Sequence, residues 1–164
     1  MQEIRNKLEM ELKQLEREFI HELPKEIQTA RELGDLRENA EYKAALERQT
    51  LVRGRIDQVR QRLEELSRIR LDSLPLETAH LGSLLTVLDL ENDEEQTFEL
   101  VVSEGADPAN GRLSIASPIG QGLIGREEGD EVKIRTPAGL RNFQVISLKT
   151  VHQRKKEDGG GNSA

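Results

Sequence analysis

Two runs of apolar residues at helical spacing constrain this chain more than any other feature. The first, Ile4, Leu8, Leu12, Leu15, Phe19, Leu23, Ile27 and Ala30, steps by 4, 4, 3, 4, 4, 4 and 3. That is close to a heptad, with a stutter between Phe19 and Ile27. Pro24 lies inside the stutter, and its missing N–H and its ring predict a kink or a break into two helices. The second run, Tyr42, Ala45, Gln49, Val52, Ile56, Val59, Leu63 and Leu66, alternates steps of 3 and 4, with Gly54 off the seam. Each run offers a single apolar stripe, so neither helix is stable alone in water. A short connection around Gly34 folds them antiparallel, stripe against stripe, with the bend at residues 33–36. At about 1.5 Å per residue the arm is on the order of 45 Å long.

Composition agrees with a narrow seam. The chain is 35% hydrophobic and 34% charged, with three Phe, one Tyr and no Trp. A globule of this length usually buries more aromatic mass. There is no cysteine, hence no disulfide or thiolate chemistry. No apolar run approaches the roughly 20 residues that span a bilayer. The acid-rich, helix-patterned "MQEIRNKLEMELKQ" is unlike a signal or transit peptide. The expectation is a soluble protein of the cytoplasm.

Charge divides the chain. Residues 1–74 carry a net −1, residues 75–152 a net −7, and the tail from 153 a net +1. The step coincides with a change of pattern near Leu74–Pro75, which marks the expected boundary between two domains. From Leu81 onward the pattern has period two. "SLLTVLDL" (83–90), "QTFELVV" (96–102), "RLSIA" (112–116), "EVKIRT" (131–136) and "NFQVISLKTV" (142–151) read as strands. "SPIGQGLIG" reads as a short helix, with Ser117 as N-cap, Pro118 at the first helical position and Gly125 just past the end. A small, curved antiparallel sheet around that helix is the expected packing. His21, His80 and His152 are isolated and no phosphate loop is present, so this half reads as a docking module. Residues 153–164 read as a flexible tail.

The bend, "GDLRENAEY" (34–42), places Asp35, Glu38 and Glu41 within seven positions. Local geometry explains part of this. Gly34 would end the first helix, Asp35 would cap the second, and Glu38 would complete a capping box. The same two carboxylates, at i and i+3, could also hold a divalent cation with positions left open. Two are too few for a tight magnesium site, so further ligands would come from another molecule and the tip would act in trans. Along the second helix, Arg48, Arg55 and Arg62 share one heptad position, and Arg53 and Arg60 share another. Such rows are usually solvated flanks that pair with glutamates of the facing helix. A basic track for phosphates or an acidic surface is the sharper reading. No aromatic residues are interleaved for base stacking.

"ARELGDLRENAEYKAA" (30–45) closely resembles the tip signature of the Gre family, the bacterial transcript cleavage factors GreA and GreB. "SPIGQGLIGREEGDEVKIRTPAG" (117–139) resembles that family's second block, and the likeness runs from about residue 8 to 152. The resemblance implies an α+β fold: an N-terminal antiparallel coiled-coil hairpin followed by an FKBP-like β-rich domain. It implies docking on bacterial RNA polymerase, with the coiled coil entering the secondary channel. There the matching acids, Asp35 and Glu38, would assist a weakly held second Mg2+ of the polymerase and the attacking water. The polymerase would then hydrolyse the backtracked nascent RNA. On this reading the chain is a monomeric accessory factor among DNA-binding transcription proteins, not an enzyme, and has no cofactor of its own. Glu41 and Tyr42 would support the tip, and Arg31, Arg48, Arg53 and Arg55 would meet RNA or polymerase. The alternative is a Gre-like channel binder that inhibits transcription without inducing cleavage. A prolyl isomerase is disfavoured, since residues 75–152 hold only Phe98 and Phe143 as aromatics.

Overall fold

A computed structural model describes residues 1–35 and 39–161. The chain divides into two compact units, Met1–Ile69 and Arg70–Ala164. The division falls slightly ahead of the Leu74–Pro75 boundary expected from charge.

The first unit is a helical hairpin. Helix α1 (Gln2–Arg17) runs into a π-helical turn, Glu18–Glu22, and continues as α2 (Leu23–Glu32). Helix α3 (Ala40–Ser67) packs along both. Glu11 pairs with Arg55 and Glu18 with Arg48, so one numbering rises as the other falls and the helices are antiparallel. The seam holds the expected residues: Leu8, Leu23, Ile27 and Ala30 are buried on one side, and Ala45, Val52, Ile56, Val59 and Leu66 on the other.

The π turn answers the stutter. Each four-residue step on a 3.6-residue helix overshoots by about 40°, and the steps from Leu15 through Phe19 and Leu23 to Ile27 repeat it three times. A turn closed by i→i+5 bonds, as Leu23 N–H makes to Glu18 O, is wider and absorbs the drift. Leu15, Phe19 and Leu23 therefore stay on Val52 and Ile56. Pro24 opens the α-helical segment that follows, where a missing N–H costs least.

The second unit carries β1 (Leu84–Asp89), β2 (Glu94–Val101), β3 (Arg112–Ser114), α4 (Pro118–Leu123), β4 (Glu131–Thr136), β5 (Gly139–Lys149) and α5 (Val151–Gly161). The five strands form one sheet in the order β3-β2-β1-β5-β4. It is mixed rather than wholly antiparallel, because β2 and β3 run parallel. Two 3-10 turns, Ser103–Gly105 and Pro108–Asn110, carry the chain back so that β3 enters in the direction of β2. A register shift between Thr86 and Val87 against β5 moves Ile146 outward while Val145 and Leu148 face in. Leu85, Val87, Leu100, Val132, Ile134 and Phe143 complete the core, capped by Leu123 of α4. This is the β-rich domain expected after the helical hairpin, with a mixed five-stranded sheet.

Helix α4 forms as its sequence dictates. The Ser117 hydroxyl accepts from Gly120 N–H at 3.1 Å, Pro118 occupies the first turn, and Gly125 exits with φ +81°. Residues 151–161, where a flexible tail was expected from 153, form helix α5. Thr150 and Gln153 make a reciprocal capping pair: Thr150 N–H donates to Gln153 Oε1 at 2.9 Å, and Gln153 N–H points back to Thr150 Oγ1 at 3.5 Å. His152 Nε2 donates to Leu74 O at 2.8 Å and Arg154 Nη1 to Gly82 O at 2.8 Å, which seats the first turns.

Candidate functional site at the hairpin tip

Helix α2 ends where glycine permits it. Leu33 N–H closes the last turn on Ala30 O at 3.2 Å, and Gly34 follows with φ +121°. The cap of α3 is not Asp35, as the capping-box reading had it, but Asn39. Asn39 has an extended backbone (φ −79°, ψ 98°), so the first helical residue is Ala40. Its Oδ1 accepts from Tyr42 N–H at 3.1 Å, and its Nδ2 donates to Ala30 O at 2.7 Å. One side chain thus satisfies the start of α3 and the end of α2. Asn39 was not singled out from sequence, although an Asn three residues ahead of the first apolar seam position, Tyr42, is a capping signal.

Asp35 lies between these two helix ends and is exposed. It borders an open depression of about 380 Å³ lined by Leu33, Asn39, Ala40 and Glu41 as well. Glu41, in the first turn of α3, is also exposed and sits in the favourable field of the helix N-terminus. The structure therefore brings Asp35 and Glu41 to one surface. Glu38, the second acid of the expected pair, lies outside the described residues. Arg31 does not extend along the arm as a free cation: its guanidinium carbon lies 5.9 Å from the centre of the Tyr42 ring.

The basic rows are largely paired within the hairpin. Arg48 grips Glu18 through Nε–Oε1 at 2.7 Å and Nη2–Oε2 at 2.9 Å. Arg55 grips Glu11 in the same two-pronged way, at 2.6 and 3.0 Å, and Arg60 reaches Glu16 at 2.8 Å. The Arg48 hydrogen bonds hold the Glu18 carboxyl below the usual carboxylate range against a smaller upward pull from burial. Arg55 does the same for Glu11, and both guanidiniums are pushed up in turn. Arg53 is exposed on the outer face of α3. Of the four arginines expected to meet RNA or polymerase, two are therefore committed to the facing helix and one to Tyr42.

Among the described residues no three His, Asp or Glu side chains gather into a group that could hold a metal ion. The described residues of the tip, Asp35 and Glu41, offer hard oxygen donors of the kind that suit magnesium.

Comparison with known proteins identifies the family. A model described as "Transcription elongation factor, N-terminal" matches residues 2–67, and one described as "Transcription elongation factor, GreA/GreB, C-term" matches residues 74–150. The chain is 40% identical over 144 residues to the transcription elongation factor GreA of Desulfotalea psychrophila, covering 88% of this chain and 89% of that one. It is 40% identical over 142 residues to GreA of Thermotoga neapolitana, covering 87% and 90%. Among solved structures it is similar to GreA factor homolog 1 of Thermus thermophilus, with 26% identity, a TM-score of 0.39, and coverage of 88% of this chain and 93% of that one. With both halves matched by the same family and GreA relatives aligned over nearly their whole length, the chain belongs to the GreA/GreB family of transcription elongation factors.

Proposed function

We propose that this protein stimulates cleavage of backtracked RNA by bacterial RNA polymerase, entering the secondary channel with the helical hairpin and acting at its tip. The observation that carries this reading is the exposed Asp35 carboxylate, held between two capped helix ends on a hairpin whose α3 alone is about 42 Å long. Membership of a family of elongation factors supports it.

Asp35 supplies an anionic oxygen donor, and Glu38 supplies the second by its place in the tip signature. Both act in trans, since among the described residues too few donors gather to hold magnesium alone. When bound, Mg2+ shared with the polymerase supplies Lewis-acid activation of the water and of the scissile phosphate. Glu41 keeps the tip anionic, and the stack of Arg31 on Tyr42 ties the end of α2 to the first turn of α3. Of the four arginines expected to make that contact, Arg53 is the best placed to meet an RNA phosphate, whereas Arg48 and Arg55 would first have to release Glu18 and Glu11. On this reading the factor is not itself an enzyme, works as a cytoplasmic monomer and needs no cofactor of its own.

The test is a stalled, backtracked elongation complex carrying 3′-labelled RNA, with magnesium and polymerase. Wild type should release short 3′ fragments. Asp35→Ala and Glu38→Ala should bind equally well and lose about a hundredfold in rate, the scale of losing one preorganised electrostatic group. A wild type that binds, releases nothing and slows elongation would overturn the proposal in favour of an inhibitor of the same shape.

A further inference from the structure

We propose that Asn39 is a positioning residue for the tip acid Asp35, a role that rests on the cleavage reading above and goes beyond helix capping. Its carboxamide is used at both ends. The N–H of Tyr42 requires an acceptor and the carbonyl of Ala30 requires a donor, so the side-chain orientation is dictated by its partners. The Ala30 carbonyl accepts twice, from Leu33 N–H at 3.2 Å and from Asn39 Nδ2 at 2.7 Å. The bond that ends α2 and the bond that reaches across from the α3 cap therefore meet at one buried residue, since Ala30 is 3% exposed. Arg31, one position on from Ala30, stacks on Tyr42, three positions on from Asn39. Ala30–Asn39 and Arg31–Tyr42 are neighbouring ties across the base of the loop that carries Asp35.

Capping alone does not require asparagine, since Asp and Ser cap comparably. Neither offers a carboxamide donor that reaches the opposite helix while an oxygen holds the cap. The strap is what asparagine adds. Closing the loop at its base limits where the Asp35 carboxylate can go, and reactions at a shared metal are sensitive to displacements of about 1 Å.

The experiment uses the full chain with Asn39→Asp and Asn39→Ser. Both keep the cap and cut the strap, one adding a charge and the other not. The chain has no cysteine, so cysteines at Glu32 and Lys43, both exposed, can carry spin labels that report the distance across the tip. The expected result is an unchanged thermal midpoint and a broadened distance distribution in both variants. The cleavage rate at saturating factor should fall about ten- to a hundredfold with an unchanged half-saturating concentration. The proposal is overturned if the distribution stays narrow, if it broadens without loss of rate, or if only the charged variant loses rate. If wild type itself stimulates no cleavage, the cleavage reading fails, and the distance distribution alone decides whether Asn39 sets the tip.

Discussion

Arg48 and Glu18 face each other across the hairpin with two parallel hydrogen bonds, at 2.7 and 2.9 Å, and Arg55 and Glu11 repeat the arrangement further from the tip. Glu18 belongs to the π turn, so the first pair also fastens the segment where the helix changes pitch.

These pairs set an acid limit for the hairpin. Both carboxyls are held low in the folded state, first by the arginine hydrogen bonds. Their stabilisation is fully present above the unfolded glutamate value of about 4.3 and is lost as pH falls through the lower folded value. Glu11→Gln with Glu18→Gln should therefore lower the melting temperature near neutrality and flatten its fall in acid. Circular dichroism melts over a pH series would check both.

Pro24→Ala should change stability by less than about 1 kcal/mol, because the lost rigidity of the unfolded chain offsets any bond gained. A proline that merely broke a regular helix would give back about 3 kcal/mol on removal. The π turn should persist in the variant, since Phe19 and Leu23 still need the wider pitch to reach Val52 and Ile56. Denaturant melts and a structure of the variant would test the two parts.

In the β-rich domain, Asp89 is buried and takes two hydrogen bonds from Arg141, Nε at 3.2 Å and Nη2 at 2.5 Å. That guanidinium, followed by the N–H of Glu91, holds the Asp89 carboxyl below its usual range. The stabilisation is present above the unfolded aspartate value of about 3.9 and is lost as pH falls through the folded one. Arg141→Met should destabilise the protein at neutral pH, with the deficit shrinking in acid as Asp89 takes up a proton. Paired urea melts of wild type and variant at neutral and acidic pH would show it.

Gly120→Ala should cost about 1–3 kcal/mol. A Cβ there would lie 2.1 Å from the backbone oxygen of Ser114, which cannot move aside as a side chain could. Gly125→Ala, at a position with open space but φ +81°, should cost about 1 kcal/mol from backbone strain alone. Thermal melts would rank the two.

Much of the architecture was legible because it follows from periodicity. The seam from Leu8 to Ala30 and from Ala45 to Leu66, the five strands and the Ser117-Pro118 helix start are local patterns. Local patterns survive folding when tertiary contacts agree with them. The Thr150–Gln153 capping pair was equally present in the residues, but the glycines and charges that follow it read as a tail. The parallel pairing of β2 with β3 was not legible, since alternation gives strands without their direction.

The sequence by itself determined that two amphipathic helices must pair, because neither can bury its stripe alone, and that acids gather at their bend. Only the tertiary structure decided what those residues do for one another. Whether Arg48 is a free cation or Glu18's partner depends on which side chain stands across the seam, a distance no spacing rule contains. The cap fell to Asn39 rather than Asp35 for the same reason: the Ala30 carbonyl at the end of the opposite helix lies within reach of a carboxamide donor there, and that contact exists only once the hairpin has closed.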